Sequence, residues 1–159
     1  MDKQTNPTAS IRLGEIACYS EIGQKANQED SIFPAIGEAT ANQRVFLVCD
    51  GMGGARAGNV ASRLACEVFC GEVCRSLRDG MTEAEEQDVL CTAAKLANIS
   101  VYEHAQLSEE FRGMGTTLVA ALVRGLRVEI VNIGDSRAYH LGADGIPVSY
   151  THLRAHETL

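Results

Sequence analysis

Val45-Phe46-Leu47-Val48-Cys49-Asp50-Gly51-Met52-Gly53-Gly54 is an apolar run that ends at a carboxylate and a glycine-rich turn. A short apolar run bounded by turn residues reads as a buried strand. A carboxylate at the end of a buried strand is costly unless something positive meets it. The arrangement recurs in Val131-Asn132-Ile133-Gly134-Asp135-Ser136-Arg137. With Gln28-Glu29-Asp30 upstream, the two strand ends suggest oxygen ligands gathered around hard cations.

Outward from this stretch, 44–49 reads as the central strand, with shorter strands over 15–19 and 31–36 flanking a loop over 23–30. A glycine-rich loop over 51–58 precedes a helix that Asn59 can cap. Val60, Leu64, Val68 and Ala61, Ala65, Phe69 give that helix a wide apolar face. A second helix starts near Thr82, where Thr82 and Glu85 fit a capping box. Glu83, Glu85 and Glu86 suit the positive end of its dipole, so this acidic run reads as helix chemistry rather than a ligand site. Val89, Ala93, Leu96, Ala97 and Val101 are expected on its buried side. Strands over 116–123, 126–133 and 136–141 follow as an antiparallel meander. Strands, two adjacent helices, then more strands predict an α+β layered domain rather than alternating βαβ units.

The 159 residues suffice for one domain with a real core, and 45% hydrophobic with 22% charged residues is ordinary for a soluble globular protein. No apolar run is long enough to span a membrane, and the first residues lack a signal-peptide pattern. The expectation is a cytoplasmic protein without a membrane partner. A net charge of -7 argues against non-specific nucleic-acid binding. The six cysteines form no metal-type Cys-x-x-Cys pair. Cys66, Cys70 and Cys74 share a helix face, where free cysteine packs as a small hydrophobe.

Residues 1–12 are polar and expected to be flexible, and 13–147 form the folded portion. The tail 148–159 reads as non-native. Val148-Ser149-Tyr150-Thr151-His152-Leu153-Arg154-Ala155-His156-Glu157-Thr158 matches one reading frame of a transposase sequencing adapter. The His152 and His156 pair, spaced like a helical zinc site, is therefore an artefact.

Glycines beside Asp50 let the backbone approach a ligand and free a carbonyl for coordination. Hard divalent ions such as Mg²⁺ or Mn²⁺ take such oxygens, and two of them roughly 3.5–4 Å apart can activate a bridging water and clamp a phosphoryl oxygen. Lys25 can hold the phosphate. The implied reaction is in-line attack of metal-bound hydroxide on a phosphate ester. Taken singly the signals are weak: Asp50-Gly51 is a common turn pair, and the glycine loop lacks the lysine and hydroxyl of a P-loop.

Taken together, the chain resembles the metal-dependent serine/threonine protein phosphatases of type 2C. The resemblance rests on Gly23-Gln24-Lys25-Ala26-Asn27-Gln28-Glu29-Asp30, Val48-Cys49-Asp50-Gly51-Met52-Gly53-Gly54, Ala57-Gly58-Asn59-Val60-Ala61-Ser62, Gly113-Met114-Gly115-Thr116-Thr117-Leu118 and Asn132-Ile133-Gly134-Asp135-Ser136-Arg137-Ala138-Tyr139, in that order. It covers a little over half of a family domain. It implies a two-layer antiparallel β-sandwich flanked by helix pairs, truncated here before its second half. By resemblance Asp50 bridges two Mn²⁺ or Mg²⁺ ions, Gly51 offers its carbonyl, Glu29 holds a metal and Asp30 supports that shell. Asp135 resembles the ligand of a third, weaker ion. The implied catalytic set is Asp50, Glu29 and Asp30, with Lys25 as the phosphate binder.

The implied substrate is a bacterial phosphoprotein, dephosphorylated at serine or threonine in opposition to a kinase. Three departures stand out. Lysine replaces the family's usual arginine at Lys25 and loses its bidentate fork. Met52 cannot serve as the general acid that a histidine there provides. Two later metal-binding aspartates have no counterpart, so this fragment is expected to be inactive. The alternatives are a non-catalytic phosphatase-like module that binds a partner, and a general phosphate-ester hydrolase acting on small molecules.

Overall fold

Alternation along one strand organises the whole chain. In β2 (Val45–Met52), Val45, Leu47, Cys49 and Gly51 are buried, while Val48, Asp50 and Met52 are exposed. Successive side chains on a strand point to opposite faces, so the odd positions face the core and Asp50 faces away from it. The computed structural model describes residues 17–24, 27–34, 44–53, 57–124, 127–141, 145 and 147–150, the last four as backbone only.

β2 pairs antiparallel with β1 (Asp30–Phe33) on one edge. Its other edge takes β3 (Gly115–Thr116) and β4 (Leu118–Arg124), and β4 pairs in turn with β5 (Arg127–Ile133). These five strands form one sheet, and β6 (Ala138–Leu141) pairs with β7 (Pro147–Tyr150) in a separate two-stranded sheet. The expected meander is thus corrected at its third strand. The turn at Gly134 and Asp135 carries the chain out of the first sheet, and β6 finds its partner in β7 instead of β5. β7 includes Val148, Ser149 and Tyr150 of the adapter-like tail, and 151–159 lie outside the described residues.

Two helices cover one face of the first sheet. Helix α1 (Ala57–Ser76) buries Ala61, Ala65, Phe69 and Val73, with Val60, Leu64 and Val68 packed at the margin, as its spacing predicts. Helix α2 (Glu83–Ala105) begins with the expected capping box: Thr82 Oγ1 accepts from Glu85 N at 3.3 Å, and Glu85 Oε2 accepts from Thr82 N at 2.7 Å. Such a cap contributes about 1 kcal/mol. The buried side of α2 runs through Leu90, Ala93, Ala94, Ala97 and Val101. Leu96 is exposed, so the predicted face is rotated towards Leu90. Cys66 and Cys70 are buried as small hydrophobes, whereas Cys74 is exposed. Burial pushes the Cys49 thiol up to about 12, which keeps it protonated and inert.

Three further expectations shift. Residues 17–19 form no strand, and 1–16 lie outside the described residues. Asp50 does not end its strand, because pairing with β3 carries β2 on to Met52. Asn59 lies inside α1 rather than capping it, and its side chain donates to the Gln28 carbonyl at 2.7 Å. The glycine-rich loop is correspondingly shorter than 51–58 at both ends, and 54–56 lie outside the described residues.

At the far end of the sheet, the acidic run acquires a second role. Glu86 is buried and ion-paired with Arg124 Nε at 2.8 Å and with Arg127. Arg124 also reaches Asp79 at 3.1 Å and the Arg78 carbonyl at 2.6 Å, tying the turn between the helices to the β4–β5 hairpin. Glu129 lies 3.1 Å from Arg127 Nε, but desolvation outweighs that attraction and raises its carboxyl above the usual range. A raised folded-state value means that ionised Glu129 destabilises the fold above the ordinary carboxylate range. Lowering the pH through the raised value relieves that cost.

The start of α1 presses against β2. A methyl group added to Gly51 would stand 2.1 Å from the Gly58 carbonyl oxygen and 2.6 Å from that of Glu29. All the colliding atoms are backbone, so nothing can turn aside. Gly51→Ala should therefore cost about 3 kcal/mol or more, read as a lower urea midpoint. Gly71, within α1, has nothing within 4 Å of an added methyl group, and Gly71→Ala should stabilise the fold by about 1 kcal/mol, read as a higher urea midpoint. Glu129→Gln should raise the thermal midpoint at pH 7, and the gain should shrink as the pH falls towards 4.

Candidate metal centre

Asp30 stands directly opposite Asp50 in the β1–β2 ladder. Opposed residues in an antiparallel pair project to the same face, and like charges there are destabilising. Both acids therefore sit at one end of the sheet, on the face away from the helices. Glu29 joins them through the backbone: its carbonyl accepts from Gly51 N at 3.1 Å, continuing the ladder by one residue. Glu29 itself is buried.

A small network holds this segment against α1. Gln28 Oε1 accepts from Asp30 N at 3.2 Å, and Gln28 Nε2 donates to Ser20 Oγ at 2.7 Å. Asn59 holds the Gln28 carbonyl, and the hydroxyls of Ser31 and Ser62 meet at 3.0 Å. Polar side chains of the helix thus position the backbone on either side of Glu29 and Asp30.

On the other edge of β2, the registers of β3 and β4 place Thr117 opposite Asp50. An opposed hydrogen-bonded pair normally exchanges two backbone bonds. Here Thr117 N donates to the Asp50 carbonyl at 2.9 Å, but Asp50 N donates to Thr117 Oγ1 at 3.0 Å. The Thr117 carbonyl released from the ladder accepts instead from Thr116 Oγ1 at 2.9 Å. A hydroxyl has thus replaced one rung of the ladder, which is why the strand divides into β3 and β4 at this residue.

Thr117 also reaches the Asp135 turn. Its hydroxyl lies 2.7 Å from Ser136 Oγ. Asn132 Nδ2 closes the turn by donating to the Ser136 carbonyl at 2.9 Å. Gly134 has a φ of 99°, and an added methyl group would stand 2.8 Å from Thr117 Cγ2. Asp135 itself is exposed.

The predicted residues thus fall into two groups. Glu29, Asp30, Asp50 and Gly51 lie together on adjoining strands, and Asp135 is linked to them through Ser136 and Thr117. Lys25 lies outside the described residues. Among the described residues, no three His, Cys, Asp or Glu side chains group closely enough to hold an ion unaided. In kind, the donors nevertheless fit a hard divalent cation. They are carboxylates and a backbone carbonyl, with no sulfur or imidazole. Reading the sequence missed the supporting roles of Thr117, Asn59 and Ser136. The hydroxyl-rich Thr116-Thr117, opposite an acidic strand end, was the available signal.

Comparison with known proteins bears on the same elements. A family model described as protein phosphatase 2C matches residues 18–158. The serine/threonine phosphatase stp of Listeria welshimeri is 35% identical over 119 residues, covering 74% of this chain and 47% of the relative. The crystal structure of Stp1 from Staphylococcus aureus aligns with a TM-score of 0.69 at 32% identity, covering 89% of this chain and 55% of that one. The catalytic domain of the phosphatase PstP, crystallised with two manganese ions, aligns with a TM-score of 0.63 at 35% identity, covering 80% of this chain and 50% of that one. The chain spans about half the length of the curated relatives it matches. With the family model matched over residues 18–158 and the fold shared with these phosphatase structures, the chain belongs to the protein phosphatase 2C family.

Proposed function

We propose that the full-length gene product is a metal-dependent protein phosphatase that hydrolyses phosphoserine and phosphothreonine in proteins. The observation that carries this reading is the register that sets Asp30 opposite Asp50, beside Gly51, so that two carboxylates share one face at one end of the sheet. The manganese bound by the related PstP supports the choice of ion.

In this reading Asp50 and the Gly51 carbonyl hold two Mn²⁺ or Mg²⁺ ions, Glu29 completes part of their shell, Asp30 supports it and Asp135 holds a third ion. When bound, such ions lower the pKa of a water and neutralise charge on the phosphoryl group. The chain's own contribution is placement. The β1–β2 ladder sets Asp30 against Asp50, the start of α1 keeps the backbone of Gly51 close, and Asn59 holds the loop before Glu29. Lys25 attracts the phosphate as a point charge. Met52, exposed beside Asp50, has no proton to give, so protonation of the leaving group falls to water.

In this reading the 159-residue chain alone is expected to lack turnover. The physiological setting in this reading is bacterial signalling in the cytoplasm, opposite a serine/threonine kinase.

Full-length protein should hydrolyse a phosphothreonine peptide only with Mn²⁺ or Mg²⁺ present, and Asp50→Asn should reduce kcat by at least about 100-fold. Turnover that survives chelation, or an Asp50→Asn variant with wild-type kcat, contradicts the reading. A purely partner-binding module would show neither turnover nor any response to the substitution.

A further inference from the structure

We propose that Thr117 is a positioning residue whose hydroxyl, through Ser136, locks the Asp50 strand and the Asp135 turn into one unit. The inference rests on the reading above that both aspartates hold ions. Its geometric basis is independent of that reading.

Thr117 is 3% exposed, so its hydroxyl is buried at the meeting point of three segments. It accepts from Asp50 N at 3.0 Å and meets Ser136 Oγ at 2.7 Å. A threonine hydroxyl has one proton and two lone pairs. With one lone pair taken by Asp50 N–H, the second lone pair and the proton remain for Ser136. Along the chain the two aspartates are separated by α1, α2 and β3 to β5, but the path through these two hydroxyls is two hydrogen bonds, with Ser136 next to Asp135 in sequence. A carbonyl in the usual rung could accept from Asp50 N–H, but it lies in the backbone and could not also turn towards Ser136. Replacing the rung by a side chain is what allows the contact.

The methyl group of Thr117 has a separate task. It packs against Gly134, where any side chain would collide with it at 2.8 Å. Hydroxyl and methyl functions can therefore be separated by substitution. Thr117→Val keeps the shape and removes the hydroxyl. Thr117→Ser keeps the hydroxyl and removes the methyl. Ser136→Ala cuts the link to the Asp135 turn and leaves the bond to Asp50 N intact.

The test combines amide hydrogen exchange on the metal-free full-length protein with calorimetric Mn²⁺ titration. Thr117→Val should accelerate exchange at the Asp50 amide and weaken Mn²⁺ binding about 10–100-fold, the range expected for partners that orient metal ligands. Thr117→Ser should restore both. Ser136→Ala should leave the Asp50 amide protected and weaken only the lowest-affinity Mn²⁺ step. The proposal is overturned if Thr117→Val keeps wild-type exchange and affinity, or if Thr117→Ser behaves like Thr117→Val. If Thr117→Val fails to fold, Ser136→Ala decides: an unchanged Mn²⁺ isotherm refutes the link. Wild-type protein that binds no Mn²⁺ would refute the ion-binding reading, while exchange at the Asp50 amide would still test the hydroxyl bond itself.

Discussion

The alternation of β2 is the constraint on which the rest depends. Val45, Leu47, Cys49 and Gly51 must face the helices for the core to close, and this sends Asp50 to the opposite face. A slip of one residue would bury Asp50 against α1 and expose Leu47 and Cys49. The start of α1 reinforces the register, because its Gly58 carbonyl occupies the space a side chain at Gly51 would need. Hydrophobic packing thereby fixes the position of a carboxylate. The acidic end of the sheet is placed by the same contacts that hold the domain together.

Around that strand, the two edges do different work. On the β1 edge, Asp30 is brought against Asp50, an arrangement that costs free energy unless a cation or other positive group offsets it. On the β3–β4 edge, Thr117 substitutes a hydroxyl for a carbonyl and so reaches the Asp135 turn. The far end of the sheet has the opposite character. There Glu86 is ion-paired within the fold with Arg124 and Arg127. Opposed carboxylates thus lie at one end of the sheet, and the ion pairs of Glu86 with Arg124 and Arg127 lie at the other.

Much of this was legible in the sequence. The apolar run before Asp50, the helical spacing around Phe69 and the Thr82–Glu85 capping box all describe local periodicities that tertiary packing then respected. These misses share a physical cause, which is that a tertiary pairing partner, rather than the local pattern, decided the outcome. Asn59 has the composition of a helix cap, but the Gln28 carbonyl 31 residues away claimed its amide from within α1. β2 runs past Asp50 because Gly115 and Thr116 pair with Met52 and Gly51. The strand over 138–141 leaves the meander because its partner is Pro147–Tyr150. At the site, the acids and glycines were evident from their motifs, whereas Thr117 was not. A buried threonine in an apolar strand looks like core until the register shows Asp50 opposite it.

The most direct measurement is anomalous diffraction at the manganese edge from crystals of the full-length protein grown with Mn²⁺. Peaks coordinated by the Asp50 carboxylate and the Gly51 carbonyl, with Glu29 in the shell, are the expected result. Manganese bound only away from Asp50, or no peak at this end of the sheet in saturating Mn²⁺, would contradict the assignment of a metal centre to the opposed acids of β1 and β2.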